Sequence, residues 1–398
     1  MDITELLAFS MKNKASDLHL SAGNPPIFRV SGDIMPLKLP PLSADEVKQL
    51  IYSVMTEDQR SEYERSLEID FAISFGKDMR FRVNAFNTLN GPGAVMRNIP
   101  TRIVPLAELG APEILKKLSE LHRGIILVTG PTGSGKSTTL AAMVDYINEN
   151  TNKHILTIED PVEFVHQSKK SLVNQREVGA STQSFARALK SALREDPDVI
   201  LVGELRDIET IQLALTAAET GHLVMGTLHT SSAPKTIDRI IDVFPPGSKD
   251  MIRAMISVSI EAIITQALIK RADGSGRVAA HEILLGTPAV RNLIREGKIP
   301  QIYSLMQVGS KFGMQTMKDC VYGLVEQGVI TSEDARAVIA SGASEGGEDA
   351  QASGGHGSAH APAQAAAPAA QPKAGFGGGE RKAASPSIMS PRGSSTGF

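Results

Sequence analysis

A single cysteine, Cys320, stands in 398 residues, and there is no tryptophan. One thiol excludes an internal disulfide and a cysteine-built zinc cluster, and it fits a reducing compartment. Aromatic residues make up only 4% of the chain, and the formal net charge is −3. A protein that tracks along nucleic acid needs a basic groove with aromatics for base stacking, and this composition argues against one. No run of about 18 uncharged apolar residues occurs, so no stretch suits a membrane-spanning helix. The opening MDITELLAFSMKNKAS also lacks the charged n-region and apolar h-region of a secretory signal. The expectation is a cytoplasmic protein with no transmembrane segment, whose membrane contact runs through a partner.

What the chain does contain is ample core material, 41% hydrophobic residues, at a length suggesting two or three domains of ~150 residues each. Residues 1–100 mix short helices with β-like runs, which reads as a small α+β module. Hairpin signals fall at Ser31-Gly32-Asp33, between Ile27–Val30 and Ile34–Leu37, and at Gly76-Lys77-Asp78, between runs 69–75 and 80–86. Helices are expected at 43–55 and 57–66. A linker at 101–112 leads into 113–341, where apolar strands alternate with helical stretches, the pattern of an α/β parallel sheet with helical crossovers. Its strands are expected at 124–129, 154–158, 198–203, 222–227 and 278–284. Thr331 to Ala340 reads as a last helix, with Thr331 and Asp334 spaced as a capping box. From 342 to 398 the composition turns to Ala, Gly, Pro and Ser, too poor in apolar bulk to offset ordering entropy, which predicts a disordered tail.

The sharpest signal is LVTGPTGSGKSTTL at 127–140. Gly130 to Ser137 fits G-x-x-x-x-G-K-[ST], between an apolar β-branched run, Ile125–Val128, and a helical stretch from Lys136. In that setting Gly133 and Gly135 let successive backbone N–H groups turn inward onto a polyphosphate, and the helix N-terminus adds its positive dipole end. Gly130, Pro131, Thr132, Gly133, Ser134, Gly135, Lys136, Ser137 and Thr138 are therefore the expected nucleotide-binding residues. Lys136 would reach the β- and γ-phosphates of ATP, and the Ser137 hydroxyl would bind Mg²⁺.

Carboxylates stand where such a site needs them. The strand run His154–Ile158 leads into Glu159-Asp160-Pro161-Val162-Glu163, and Val199–Val202 ends in Gly203-Glu204. Glu204 can hold Mg²⁺ through water, a role more usually taken by Asp; its extra methylene favours a water-mediated contact. His222 and His229 bracket another strand, roughly 23 Å apart if extended, which argues against one shared metal. Both sit beside threonines, which suggests hydrogen-bonding roles near phosphate or at a subunit contact.

These segments resemble the signature boxes of the ATPases of type II and type IV secretion and type IV pili. TGPTGSGKSTT at 129–139, ILTIEDPVEF at 155–164, DPDVILVGELRD at 196–207 and TGHLVMGTLHT at 220–230 are similar to their Walker A, Asp, Walker B and His boxes. The likeness runs from ASDLHL at 15–20 to GMQT at 313–316. AVRNLIRE at 289–296 is similar to a segment of the pilus-retraction branch, with Val290 where that branch has Ile. The tail is unmatched. The resemblance implies a PAS-like N-terminal domain, a RecA-like P-loop ATPase domain and a ring of six subunits. It implies Glu163 as general base, Glu204 as the Mg²⁺-associated acid, and N-terminal arginines near the γ-phosphate. Period-2 alternation puts Arg80 and Arg82 on one strand face with Phe81 and Val83 on the other, and Arg97 looks similarly placed, so Arg82 and Arg97 become candidate charge-stabilising groups.

The implied activity is a hexameric ATP-driven motor that retracts and depolymerises type IV pili for twitching motility. The implied place is peripheral, at the inner-membrane pilus base. Its implied partners are the platform protein, pilin indirectly, and a second retraction ATPase. Extension and type II secretion ATPases share the boxes but typically carry a four-cysteine zinc insertion and a longer N-terminal region; neither is seen here, and both differences favour retraction. An accessory retraction ATPase is a further alternative, against which the AVRNLIRE segment favours the principal motor. A RecA-like DNA translocase is the alternative of another class, disfavoured by the acidic, aromatic-poor composition. A nonhydrolysing scaffold is disfavoured by the presence of Glu163 and Glu204. The helix expected at 288–297, opened by Pro288 and stopped by Gly297, is a candidate for transmitting motion or touching the platform.

Overall fold

Two sheets organise the residues described by the computed structural model, 2–30, 33–76, 79–99 and 102–344. The first contains β1 (Asp17–Ser21), β2 (Ile27–Val30), β3 (Asp33–Pro36), β4 (Glu68–Phe75), β5 (Met79–Thr88) and β6 (Gly91–Ile99), with helices α1 (Ile3–Lys12), α2 (Ala44–Tyr52) and α3 (Glu57–Ser66). Its order is β3-β2-β1-β6-β5-β4, with every pairing antiparallel. Both expected hairpins pair as read, β2 with β3 and β4 with β5; Ser31, Gly32, Lys77 and Asp78 lie outside the described residues. Capping boxes, Ser43 with Glu46 and Thr56 with Gln59, fix where α2 and α3 begin. Along β5, Phe81, Val83 and Ala85 are fully buried, which turns Arg80 and Arg82 to the opposite face.

The second sheet contains β7 (Gly124–Thr129), β8 (His154–Glu159), β9 (Leu172–Glu177), β10 (Val199–Val202), β11 (Leu223–Leu228), β12 (Ile260–Lys270) and β13 (Arg277–Leu285). Its helices are α4 (Ile114–Ser119), α5 (Lys136–Asn150), α6 (Phe185–Ala192), α7 (Ile208–Glu219), α8 (Ala233–Asp242), α9 (Lys249–Ser259), α10 (Pro288–Arg295), α11 (Ile302–Val308), α12 (Met317–Glu326) and α13 (Ser332–Ser344). The order is β13-β12-β7-β11-β10-β8-β9. All pairings are parallel except β12 with β13. All five expected strands are present, but the one read at 278–284 does not join a helical crossover. It is β13, the antiparallel edge partner of β12, because the six residues between them allow only a tight turn.

The parallel strands read as unbroken apolar runs because both faces are covered. Ile125 and Leu127 of β7 enter one core with Leu156, Ile158, Ile200 and Val202; Ile126 and Val128 enter another with Ile155, Val199 and Leu201. Alternate residues thus feed opposite layers, and the carboxyl ends of β7, β8, β10 and β11 are held in register on one edge. That edge carries the site.

Two late helices show detail beyond the expectation. Thr331 caps α13 by accepting the Asp334 N–H, but Asp334 takes the Thr331 hydroxyl proton rather than returning to the cap backbone. The helix continues to Ser344, past the expected end at 340, and residues 345–398 of the expected tail lie outside the described residues. α10 starts at Pro288 with Thr287 as its cap and packs Val290 and Ile294 inward. Arg291 is not turned to solvent: it donates to the carbonyls of Gly286 (2.6 Å), Ser257 and Val258 and to Glu261 (2.7 Å).

Candidate nucleotide site

β7 ends at Thr129 and α5 begins at Lys136, so loop 130–135 sits on the carboxyl edge of the sheet. Gly130, Gly133 and Gly135 hold φ of +135°, +78° and +91°. At Gly130 a Cβ would stand 2.3 Å from the Gln266 carbonyl oxygen of β12, and at Gly135 2.8 Å from the Gln266 side-chain nitrogen. Only glycine fits there. A Cβ on Gly133 would meet nothing within 4 Å, which marks the open side of the loop. No side chain caps α5, so its first-turn N–H groups are left for an anion. The buried Ser134 Oγ has no protein partner.

Lys136 is nearly buried, and its Nζ donates to the carbonyls of Gly130 (2.9 Å) and Pro131 (3.0 Å). Burial lowers its pKa, while Glu204 and Glu163 oppose the shift. A phosphate oxygen would take over from those carbonyls at the same ammonium.

The loop opens onto a cavity of about 320 Å³, lined by Thr132, Gly133, Lys136 and Ser137 on one side and Glu159, Glu163, Glu204, Arg82 and His229 on the other. Gly130, Pro131, Ser134, Gly135 and Thr138 build the loop and helix start behind this lining. Glu163 is exposed, and its backbone N–H points to Glu159 Oε2 at 3.4 Å. Glu159 is the more buried acid, taking the Thr157 hydroxyl (2.7 Å) and the Gln175 amide (3.2 Å). Burial, aided by Glu163, pushes its pKa up against these hydrogen bonds. Burial pushes Glu204 up as well, but Arg206, 2.6 Å away, and His229 outweigh it and leave the carboxyl below its ordinary value. Glu204 is thus held ionised, as a metal-associated acid must be.

Of the two histidines only His229 reaches the cavity, with Nε2 3.3 Å from Glu204 Oε1 and Nδ1 3.5 Å from Lys136 Nζ. His222 lies at the other end of β11, where its Nδ1 bonds the Ala217 carbonyl at 3.0 Å. Of the candidate arginines, Arg82 lines the cavity and stands 3.6 Å from Asp70. Arg97 does not line it; Nε donates to Asp17 at 2.9 Å within the N-terminal sheet. Burial alone would raise the Asp17 carboxyl, and the Ser16 hydroxyl and Arg97 hold it below its usual value instead.

Sequence reasoning missed Gln266, which accepts the Thr139 hydroxyl at 2.8 Å and underlies the loop, and Arg206 as the partner of Glu204. Gln266 was signalled only as a polar break in the apolar run IEAIITQALIK, and Arg206 by its place two residues after Glu204. Among the described residues no group of three or more His, Cys, Asp or Glu side chains gathers as a metal site. Mg²⁺ characteristically enters with substrate phosphates and few protein ligands, so Ser137 and Glu204 suit it.

The strand–loop–helix on a largely parallel sheet, with acids at neighbouring strand ends, defines a RecA-like P-loop ATPase. The profile of the type II/IV secretion system proteins matches residues 1–357, and the chain belongs to that family. It is 61% identical over 336 residues to the type IV pilus retraction ATPase PilT of Pseudomonas aeruginosa, covering 84% of this chain and 97% of that one. It is 62% identical over 311 residues to a twitching motility protein of Neisseria gonorrhoeae, covering 78% and 83%. The crystal structure of the pilus retraction motor PilT with bound ADP superposes with a TM-score of 0.80 at 49% identity, covering 85% of this chain and 97% of that one.

Proposed function

We propose that this chain is the subunit of a hexameric ATPase motor that retracts and depolymerises type IV pili and so drives twitching motility. The observation that carries this reading is the cavity uniting the phosphate loop, Glu163, Glu204, His229 and Arg82, in a chain so similar to PilT along nearly that protein's whole length. ATP hydrolysis is the activity of the family, and nucleotide is its ligand.

The residues fit Mg²⁺ and ATP. The glycine cradle, the uncapped helix, the orphaned Ser134 hydroxyl and the Lys136 ammonium form an anion site of the right donor type. Ser137 and Glu204 would hold the cation, which when bound draws charge from the phosphates and makes the γ-phosphoryl group a better acceptor. Glu163 would take the proton of the attacking water. Glu204, tied to His229 and Arg206, would fix the cation's outer ligands, and Arg82 would meet the charge that develops in transfer. His229, between Lys136 and Glu204, would register whether the γ-phosphate is present, and His222 fits a subunit contact.

The domain reading assigns residues 1–100 to a PAS-like unit, 101–112 to a linker, 113–341 to the ATPase and 342–398 to a tail. The cleft between the first and third would move during turnover. The motor would work from the cytoplasmic side, at the base of the pilus, against a platform protein; among the described residues no helix is long and apolar enough to cross a membrane.

The test is direct. Purified full-length protein should hydrolyse ATP only with Mg²⁺ and elute as a hexamer. A deletion strain should lose twitching while accumulating surface pili; loss of surface pili would assign the chain to extension instead, and normal twitching to an accessory motor.

A further inference from the structure

Arg80 does not line the cavity, yet it ties the N-terminal sheet to the turn carrying Glu163 through Glu177. Its Nη2 donates to Glu177 Oε2 on β9 at 2.6 Å, with both side chains largely buried. Its Nε is buried with no partner, and its other contact, to Ser74 Oγ, is long at 3.5 Å. The guanidinium therefore depends on Glu177. The same Oε2 accepts the backbone N–H of Val162 at 3.0 Å, one residue before Glu163.

The turn from Asp160 to Glu163 is thus held by two carboxylates from adjacent strand ends. Glu159 faces the N–H of Glu163 at 3.4 Å, and Glu177, its register partner across β8 and β9, takes the N–H of Val162. Their backbones are joined at the same point, where the Val178 N–H donates to the Glu159 carbonyl at 2.9 Å. Of the two acids, Glu177 is the one engaged by the N-terminal sheet. Arg80 also stands two residues from Arg82 on one face of β5, so a shift of that strand that moves Arg82 against the cavity also loads the Arg80–Glu177 pair. One oxygen serving both a buried cation and a backbone donor makes the pair sensitive to such a shift.

We propose that Glu177 is a positioning residue that sets the place of Glu163, and that Arg80 makes this placement depend on the position of the N-terminal sheet. The proposal rests on the reading of Glu163 as general base.

The test measures steady-state ATP hydrolysis by the assembled full-length protein. Glu177→Ala should lower kcat by about tenfold or more with KM for ATP held within about threefold, the split expected when a reacting group is misplaced rather than binding lost. Glu177→Gln, which keeps an oxygen for the Val162 N–H, should retain more kcat than Glu177→Ala. Arg80→Ala should fall in the same direction, Arg80→Lys less so, and Arg80→Ala should add nothing to Glu177→Ala, since both act through one oxygen. Wild-type kcat in Glu177→Ala, a change confined to KM, or additive losses in the double variant would overturn the proposal. If Glu177→Ala fails to assemble, Glu177→Gln and Arg80→Ala decide, and normal kcat in both overturns it. Glu163→Gln run alongside separates the two readings. Wild-type turnover there removes the base assignment itself, whereas an inactive Glu163→Gln beside a fully active Glu177→Ala removes only the role of Glu177.

Discussion

Arg82 and Arg97 face each other as register partners across β5 and β6, and each is paired with an acid of its own, Asp70 and Asp17. Like charges so placed repel, and the two acids relieve that strain in different ways. Asp70 is exposed and 3.6 Å away, a loose partner; Asp17 is buried and 2.9 Å away, a firm one. Arg82 is the guanidinium free to turn to a phosphate. Arg82→Ala should lower kcat for ATP hydrolysis by at least about tenfold with a smaller change in nucleotide affinity, the pattern of a group acting on transition-state charge. Arg97→Ala should lower kcat less and reduce thermal stability instead. Kinetics with nucleotide-binding titrations check both, and equal kcat losses would show that Arg97 leaves Asp17 during turnover.

Lys136→Ala should abolish hydrolysis and weaken nucleotide binding, because among the described residues it removes the only lysine lining the cavity. Glu163→Gln should leave ATP binding largely intact while turnover drops ~10²-fold or more, as loss of a general base requires. Fluorescent-nucleotide titration beside a phosphate-release assay distinguishes the two. Retained turnover in Glu163→Gln would move the role to Glu159 or Glu204.

The α10 helix divides by residue. Arg291 ties α10 to the end of α9 and to Glu261, so Arg291→Ala leaves several acceptors unsatisfied and should cost about 1–3 kcal/mol of stability, seen in denaturant melts. Arg295 is exposed on the same helix and makes the cleaner test of coupling. Arg295→Ala should impair twitching while sparing hexamer formation and ATPase rate. Normal twitching would make α10 a packing element only.

Two buried histidines set an acid limit. Burial holds both His166 and His281 down at about 4. Their folded values lie below the ordinary 6.5, so the unfolded chain binds more protons between these limits. The stabilisation is complete above pH 6.5 and is lost progressively as pH falls toward 4. At pH 5 the loss should be about 2 kcal/mol for each histidine. Urea unfolding at pH 7 and pH 5 measures it, and His281→Gln should reduce the difference between them.

The phosphate loop, the strands at its edge and the placement of Glu163 and Glu204 beside it were legible because each depends on neighbours in sequence. Ile125 to Val128 reads as a strand from its own side chains, and Gly130 to Ser137 carries its chemistry in its spacing. β12 was not legible: IEAIITQALIK is an apolar run that suits a buried helix or strand equally, and only pairing with β7 and β13 decides. β9 was hidden as an edge strand of mixed polarity, LVNQRE. Without it Glu177 had no address, and its bond to Arg80 spans 97 residues. The same limit applies to the histidines. His222 and His229 look alike in sequence, and only the direction of β11 decides which one faces the cavity.

The close approach of the Gln266 carbonyl to Gly130 has a consequence for how a nucleotide is gripped. Because β12 presses on the loop from below and Gln266 also holds Thr139, the loop is braced by its own scaffold before any phosphate arrives. Little ordering entropy remains to be lost there on binding, so affinity is not eroded by the need to organise a floppy receptor. In the proposed cycle, movement would then fall to the opposite wall, which carries Arg82 and the Glu163 turn, and the braced loop would serve as the fixed seat for the phosphates.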